Sequence, residues 1–305
     1  MRVVRRRVRA RLFAIAAWCL GNLPPSLATR ILAIPAVLAN RGRLGRMVRS
    51  NLELALGDEF TEQDRRACSR AVFHHTARLI AEATFLSQAN ARRRRTWFER
   101  HVTIDPSIEH LERALGMGRG VILATGHLGN WELIAPSMVD RGLHGAVVAQ
   151  FNDRDPAAPW IVNMRRNAGV ETLSQDAHPK ELLRLLKEGG ALGIVCDLEV
   201  KRVDGVFVPF FGRDALTMTA PAALARASKA PIVPVHCVHG QEDPTRYTIR
   251  FDPPMEWDAS MPKIEARDAI LTGLNQTIEG WIRRVPEEWA WYQPRWRTRP
   301  KASDS

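Results

Sequence analysis

The stretch V-I-L-A-T-G-H-L-G-N-W-E-L, residues 121–133, decides both the fold and the candidate chemistry. Its first five residues are apolar or small, which predicts a buried strand that ends at Gly126. His127 therefore lies at the carboxyl end of a strand, where open α/β sheets bind their ligands. Glu132 follows five positions later, where a helix is predicted to begin. On a continuous helix such residues would diverge by about 140°, so the two side chains meet only if His127 lies in the turn.

A histidine in such a turn, followed by a carboxylate, is typical of a general base and its orienting partner. A neutral imidazole can take a proton from an alcohol near pH 7, and a carboxylate fixes its tautomer and stabilises the imidazolium. The alternative is a histidine that only caps the helix. The sequence contains no G-x-S-x-G elbow, no H-E-x-x-H and no cysteine pair at zinc spacing. We therefore expect neither a serine nucleophile nor a metal.

Predicted strands and helices alternate on both sides of this stretch. Strands are expected at 145–149, 191–196 and 231–238, and helices at 178–188 and 264–284. This alternation predicts an α/β sandwich. A long helix is expected over 60–90, before the first of these strands.

The chain carries a formal net charge of +11 over 305 residues, which suits an anionic lipid, a nucleic acid or an acidic protein partner. Its amino terminus combines a basic head with two apolar stretches, 12–20 and 31–39, each shorter than the roughly 18–20 residues of a membrane-spanning helix. Arginines flank the pair at both ends. We expect residues 1–45 to be membrane-associating helices that lie in the interface, followed by a catalytic domain over 46–305. The alternative is a pair of ordinary core helices with a solvated arginine face.

Five segments together resemble a known family. His127 and Glu132 resemble the His-x4-Asp signature of the glycerolipid and lysophospholipid acyltransferase superfamily, with glutamate in place of aspartate. Four further segments are similar to its lipid A late (lauroyl/myristoyl) acyltransferase branch, in the order of that branch. They are R-S-N-L-E-L-A-L (49–56), D-L-E (197–199), V-F-V-P-F-F-G (206–212) and P-E-E-W-A-W-Y-Q-P-R-W-R-T-R-P (286–300). The phosphatidylinositol mannoside acyltransferases share this pattern, so the reaction is better defined than the substrate.

The resemblance implies a mixed sheet flanked by helices and an O-acyltransferase without a cofactor. The implied donor is an acyl thioester, carried by acyl carrier protein or coenzyme A. The implied acceptor is a hydroxyl of a lipid A precursor at the cytoplasmic face of the inner membrane. A phosphatidylinositol mannoside or another lysolipid is the alternative acceptor.

The resemblance also indicates substrate-binding residues. Arg165 is expected to bind a phosphate or to stabilise an oxyanion. Asn130 belongs to the turn whose backbone amides, near residues 129–131, are expected to stabilise the same oxyanion. Asp197 and Glu199 occupy the place of an Asp-x-Asp pair, where either could hold acceptor hydroxyls or support the histidine. A solvated helix face for Arg165, and loop capping for the two carboxylates, are the alternatives.

A different class of protein would also explain the charge. A non-catalytic protein that binds anionic membrane or nucleic acid needs the arginines but gives His127 and Glu132 no role. The tryptophans and arginines of residues 289–299 fit a headgroup interface. They fit a base-stacking surface as well, although no nucleic-acid-binding motif accompanies them, so we expect no nucleic-acid partner.

Overall fold

The computed structural model describes residues 2–150, 158–199, 204–240, 243, 245–258 and 260–300, without the side chains of residues 1–10, 158 and 159. The helices are α1 (Arg2–Gly21), α2 (Pro25–Arg41), α3 (Arg43–Leu56), α4 (Glu62–Gln88), α5 (Ala91–His101), α6 (Glu109–Leu115), α7 (Ile134–Val139), α8 (Ala158–Asn167), α9 (Pro179–Lys187), α10 (Ala220–Ser228) and α11 (Lys263–Arg284). The strands are β1 (Val102–Ile104), β2 (Val121–Thr125), β3 (Gly145–Ala149), β4 (Glu171–Ser174), β5 (Ala191–Val195), β6 (Gly205–Phe210), β7 (Arg213–Met218), β8 (Ile232–His239) and β9 (Tyr247–Phe251).

Seven strands form one mixed sheet in the order β1-β9-β8-β2-β5-β3-β4. The central strands β8, β2, β5, β3 and β4 run parallel, whereas β9 and β1 run opposite to them. The strands β6 and β7 form a separate antiparallel hairpin. This arrangement confirms the expected α/β fold with a mixed sheet between helices. The carboxyl ends of β2, β5 and β8 consequently lie on one edge.

Helices cover both faces of this sheet because each central strand is apolar on both sides. Ile122 and Ala124 face a core that includes Ile270 of α11, whereas Val121 and Leu123 face a second core with residues of α6 and α7. Side chains alternate along a strand, so a run without polar residues packs against both layers. All five residues of β2 are buried.

The long helix α4 confirms the helix expected over 60–90. It begins with a capping box, in which the Thr61 hydroxyl accepts from the Asp64 amide and the Asp64 carboxylate accepts from the Thr61 amide. Both α1 and α2 pack against α4. The Ser69 hydroxyl of α4 donates to the side chain of Asn40 in α2, which joins these two helices.

The two amino-terminal apolar stretches do form two helices, as expected. No helix among the described residues is long and apolar enough to cross a membrane. The side chains of the basic head, residues 1–10, lie outside the described part of the chain. The division at residue 45 stays a prediction, and the nearest helix boundary is Gly42, between α2 and α3.

Candidate active site

The turn after β2 is shaped by two glycines. A Cβ atom on Gly126 would lie 2.9 Å from Oδ2 of Asp197, so glycine lets that carboxylate approach the turn. Gly129 has φ of +59°, and a Cβ there would come within 1.9 Å of the Cys237 carbonyl oxygen. Only glycine tolerates both constraints at position 129. The sequence therefore specifies a tight turn that places His127 at the sheet edge.

His127 is held by Asp197, which lies directly after the neighbouring strand β5. The ring Nδ1 lies 2.8 Å from Asp197 Oδ1, and the His127 backbone amide donates to Oδ2 at 2.6 Å. Thr125 and Val195, the last residues of β2 and β5, are paired across the sheet. His127 and Asp197 therefore follow neighbouring strand ends on the same edge. Of the two carboxylates expected at this position, Asp197 is therefore the one that supports the histidine.

Asp197 is fully buried and accepts a third hydrogen bond, from the indole nitrogen of Trp289 at 2.7 Å. Burial alone would raise the pKa of Asp197, but His127 and the bond from Trp289 outweigh it and hold this pKa below its ordinary value. An ionised Asp197 requires the proton of a neutral His127 to be on Nδ1. That assignment leaves Nε2 with a free lone pair, and the His127 side chain is 26% exposed.

Glu132 has a different partner from the expected one. Its carboxylate is bound by both Nε and Nη2 of Arg165, at 2.9 and 2.6 Å. Among the hydrogen bonds of the described residues, Nδ1 of His127 pairs with Asp197 and no bond joins His127 to Glu132. Asp197 rather than Glu132 pairs with the His127 ring, because the short turn brings His127 toward β5 rather than toward the following helix. A catalytic contribution of Glu132 stays a prediction.

The Glu132–Arg165 pair is a bidentate ion pair between the turn and α8. The side chains are 21% and 13% exposed. Burial would lower the pKa of Arg165, and the Glu132 charge more than compensates and raises it. Arg165 thus lies beside the site, as expected, rather than on a solvated helix face. Its binding of substrate stays a prediction.

Asn130 and Glu199 are engaged within the protein. The Asn130 side chain is buried and donates to Glu82 Oε2 at 3.0 Å. Glu199 accepts from the Arg297 guanidinium and from the amide and hydroxyl of Thr298, which fastens the carboxyl-terminal segment. The substrate contacts expected of both residues stay predictions.

The backbone amides expected to form an oxyanion hole are partly occupied. The Gly129 amide donates to the Glu288 carbonyl at 3.0 Å, and the Asn130 amide donates to the Cys237 carbonyl at 2.8 Å. These two amides therefore hold the turn in place and are not free for substrate, which corrects the expectation for them.

A cluster of buried polar residues contacts the turn, and no local motif in the sequence predicts it. His75 of α4 contacts the Gly129 carbonyl at 3.3 Å, and the Glu82 carboxylate accepts from Asn130 and from the Tyr247 hydroxyl. Burial lowers the pKa of His75 to about 4, so this imidazole is neutral near pH 7. Only tertiary packing brings α4 and β9 to the turn, so no local motif could have identified these residues.

An apolar cavity of about 70 Å³ lies between α7 and strands β2, β3 and β5. Thr125, Glu132 and Arg165 line it at the carboxyl-end edge of the sheet, and its wall continues through Leu123 and Gly193. The Trp131 ring, which also lines the cavity, meets the His127 ring edge-on with 4.8 Å between centroids. The arrangement combines a partly exposed histidine, paired with a buried carboxylate, with an apolar cavity that runs along the sheet.

The carboxyl-terminal tryptophans differ from the expectation of a headgroup or base-stacking surface. Trp289 and Trp291 are 1% and 0% exposed, and Arg295 is fully buried. Arg295 donates to the Leu216 carbonyl and to the Thr217 hydroxyl. Residues 289–291 and Arg295 are core residues, and Trp289 supports Asp197, whereas residues 297–300 are exposed.

Comparison with known proteins shows the family of the chain. The family described as bacterial lipid A biosynthesis acyltransferase matches residues 2–298, and the chain belongs to that family. It is similar to the lipid A biosynthesis lauroyltransferase of Escherichia coli, with 25% identity over 94% of this chain and 91% of the relative. It is also similar to the E. coli lipid A biosynthesis palmitoleoyltransferase, at 25% over 85% and 80% of the two chains. A phosphatidylinositol mannoside acyltransferase of Mycolicibacterium smegmatis is 29% identical over 62% and 60%. The protein is an acyltransferase.

Proposed function

We propose that the protein transfers a fatty acyl chain from an acyl thioester to a hydroxyl of a lipid A precursor. The observation that carries this proposal is the His127–Asp197 pair, whose histidine contacts Trp131 in the wall of an apolar cavity. Acyl transfer needs a base for the hydroxyl and a dry site for the chain, and we assign the pair to the first role and the cavity to the second.

In the proposed mechanism, Nε2 of His127 takes the proton of the acceptor hydroxyl while the hydroxyl oxygen attacks the carbonyl carbon of the thioester. Asp197 stabilises the imidazolium, as a buried carboxylate does for a catalytic histidine. The tetrahedral intermediate collapses, the carbon–sulfur bond breaks, and the imidazolium returns its proton to the thiolate. Arg165, in the cavity wall, is the group we assign to the oxyanion.

We further propose that acyl carrier protein or coenzyme A carries the donor, that no cofactor takes part, and that the protein works at the cytoplasmic face of the inner membrane. The exposed surface of α1 and α2 supports membrane attachment. Leu27, Ile31, Ile34 and Leu38 follow one stripe of α2 and are 44–69% exposed, whereas Ala28 is fully buried. Large apolar residues that face outward at helical spacing are typical of an interfacial helix.

A phosphatidylinositol mannoside is the second candidate acceptor, favoured by the similarity to the M. smegmatis relative, whose name states that substrate. The geometry of the base serves either hydroxyl. The two acceptors differ in their sugars and phosphates, so they are distinguished by assay.

The decisive experiment offers the purified protein acyl-carrier-protein and coenzyme A thioesters with each acceptor, and detects acylated product by mass spectrometry. We expect product with the lipid A precursor. Turnover by His127→Ala should be lower by a factor of about 10² or more, because the base is lost. The matched control is His74→Ala, since His74 is an exposed histidine of α4. Product with only the mannoside would favour the second acceptor, whereas normal turnover by folded His127→Ala would overturn the mechanism. Failure to acylate either acceptor would overturn both acceptor assignments.

A further inference from the structure

A second cavity, of about 410 Å³, lies between the end of α11 and the outer strands of the sheet. We call it the α11 cavity. His236 and Val238 of β8, Thr248 and Arg250 of β9, and Arg284 of α11 are among its lining residues. Alternate residues of each strand point to one face, so this cavity is on the opposite face of β8 from buried Val235 and Cys237, which belong to the second core.

One imidazole in the wall of the α11 cavity has an unused nitrogen atom. Nδ1 of His236 is buried without a hydrogen-bond partner among the described residues. His236 is 5% exposed, and its ring stacks on Trp281 with 4.6 Å between centroids. The His239 ring belongs to the opposite face of β8, where it packs on Tyr247 and His75. Buried polar atoms normally have partners, so the unused Nδ1 of His236 indicates a missing ligand.

The charges around the α11 cavity are mainly positive. Asp105 is bound by Nε of Arg250 at 3.1 Å, and Asp243 accepts hydrogen bonds within its own loop. Arg246 donates to backbone carbonyls, which do not neutralise its charge. Arg284 has no hydrogen bond or ion pair with any described residue. Among the described residues, at least one guanidinium charge at the rim is therefore uncompensated.

This positive charge already acts on His236. Burial lowers its pKa to about 3, and Arg284 and Arg250 contribute to the shift. His236 is consequently neutral near pH 7 and can present one N–H group to a ligand. Guanidinium and imidazole N–H groups around a polar cavity are the donors that bind phosphate oxygens.

We propose that the α11 cavity is a second anion site, which binds a phosphate group between Arg284, Arg250 and the imidazole of His236. The ligand is inorganic phosphate or a phosphate monoester, since both present the same oxygens. The site is separate from the acyl-transfer residues, because neither His127 nor Arg165 lines it. It does not depend on the proposed function.

Calorimetric titration of the full-length protein at constant ionic strength tests this site, with inorganic phosphate and glycerol 3-phosphate as probes. We expect one saturable site for at least one probe, weakened about tenfold by Arg284→Gln because a charged hydrogen bond is lost. His236→Phe retains a ring against Trp281 but removes the nitrogens, and should weaken binding similarly. The matched control is Arg283→Gln on the same helical turn, because Arg283 contacts Glu59 and the Phe211 ring instead.

Binding should persist in His127→Ala, which separates this site from acyl transfer. The histidine NMR signals give a second readout, since a bound anion should raise the pKa of His236 in the wild-type protein. Tighter binding of glycerol 3-phosphate would identify an ester as the ligand, and tighter binding of inorganic phosphate would identify the free ion. Absence of saturable binding, or equal binding by wild type and Arg284→Gln, would overturn the proposal.

Discussion

At the scale of single residues, the ring of His127 is oriented by a carboxylate that follows another strand. Asp197 is 70 positions away in the chain, and a third member, Trp289, comes from near the carboxyl terminus. Burial of an ionised carboxylate is costly unless hydrogen bonds compensate it, and Asp197 receives three. These bonds favour an ionised Asp197, which in turn sets the tautomer of His127.

Asp197→Asn should separate this electrostatic role from packing. The substitution keeps the shape of the side chain but removes its charge and lets the amide favour the wrong tautomer of His127. We expect kcat to fall by a factor of about 10² or more with little change in KM. The measurement is steady-state turnover at several pH values, together with a thermal unfolding curve. Wild-type kcat in a folded Asp197→Asn protein would rule out this support of the base.

Glu132→Gln tests the ion pair beside the base. It should reduce turnover less than His127→Ala does, because Glu132 does not transfer the proton. The physical effect is to leave the guanidinium of Arg165 buried without its counter-charge.

A double-mutant cycle with Arg165→Gln measures the coupling between Glu132 and Arg165. We expect the two losses to be strongly non-additive, with a coupling of about 0.5–3 kcal/mol in transition-state free energy. Strictly additive effects would mean that the two residues act separately. A folded Glu132→Gln protein with unchanged turnover would mean that Glu132 only favours the start of the following helix.

At the scale of secondary-structure elements, the strand, the turn and the histidine could be predicted because their signals are local. A five-residue apolar run, a glycine and a polar residue are contiguous, and β2 has the expected bounds within one residue. The partner of His127 could not be chosen because it depends on which strand lies next to β2. Glu132 is nearer in sequence, but the pairing of β2 with β5 makes Asp197 nearer in space. The hairpin strand β7 and the short edge strands β1 and β4 were not predicted, since they lack a long apolar run.

The strands that form the apolar cavity should also limit the length of the acyl chain. Gly193 is the middle residue of β5 and lies opposite Val147 of β3 in the cavity wall. Ala191 lies two residues farther from the sheet edge that carries His127. A Cβ on Gly193 would already lie 3.1 Å from a methyl carbon of Val147. Two residues along a strand span about 6.6 Å, so substitutions at the two positions should block the cavity at different depths.

We therefore expect Gly193→Val to shift the preferred donor to chains several carbons shorter, and Ala191→Val to cause a smaller shift. The measurement is kcat/KM across thioesters of increasing chain length. Ala114→Val is a control for overpacking, because Ala114 is fully buried in the same core but does not line the cavity. Unchanged chain preference in both cavity variants would place the acyl chain elsewhere.

At the scale of the whole molecule, two apolar surfaces serve different purposes. The carboxyl-terminal tryptophans close the core behind Asp197, whereas the large apolar residues of α1 and α2 face outward. Composition indicated both surfaces as membrane candidates, because tryptophans beside arginines and aliphatic residues beside arginines are each typical of a membrane interface. Only the observed burial separates them, and it leaves α1 and α2 as the membrane-facing candidate.

Vesicle flotation should locate the membrane contact on α1 and α2. Deleting these helices would expose the packed face of α4, so substitutions of exposed residues are a cleaner test than truncation. We expect Trp18→Gln, Ile34→Gln and Leu38→Gln together to reduce flotation with anionic vesicles several-fold while the unfolding temperature stays near that of the wild type. High salt should release only part of the wild-type protein, because each interfacial arginine contributes about 1 kcal/mol and apolar burial adds a salt-insensitive part. The matched control is Ile264→Gln, since Ile264 is 62% exposed on α11, outside this surface. Flotation of the triple variant as efficient as that of the wild type would place the membrane contact elsewhere on the molecule.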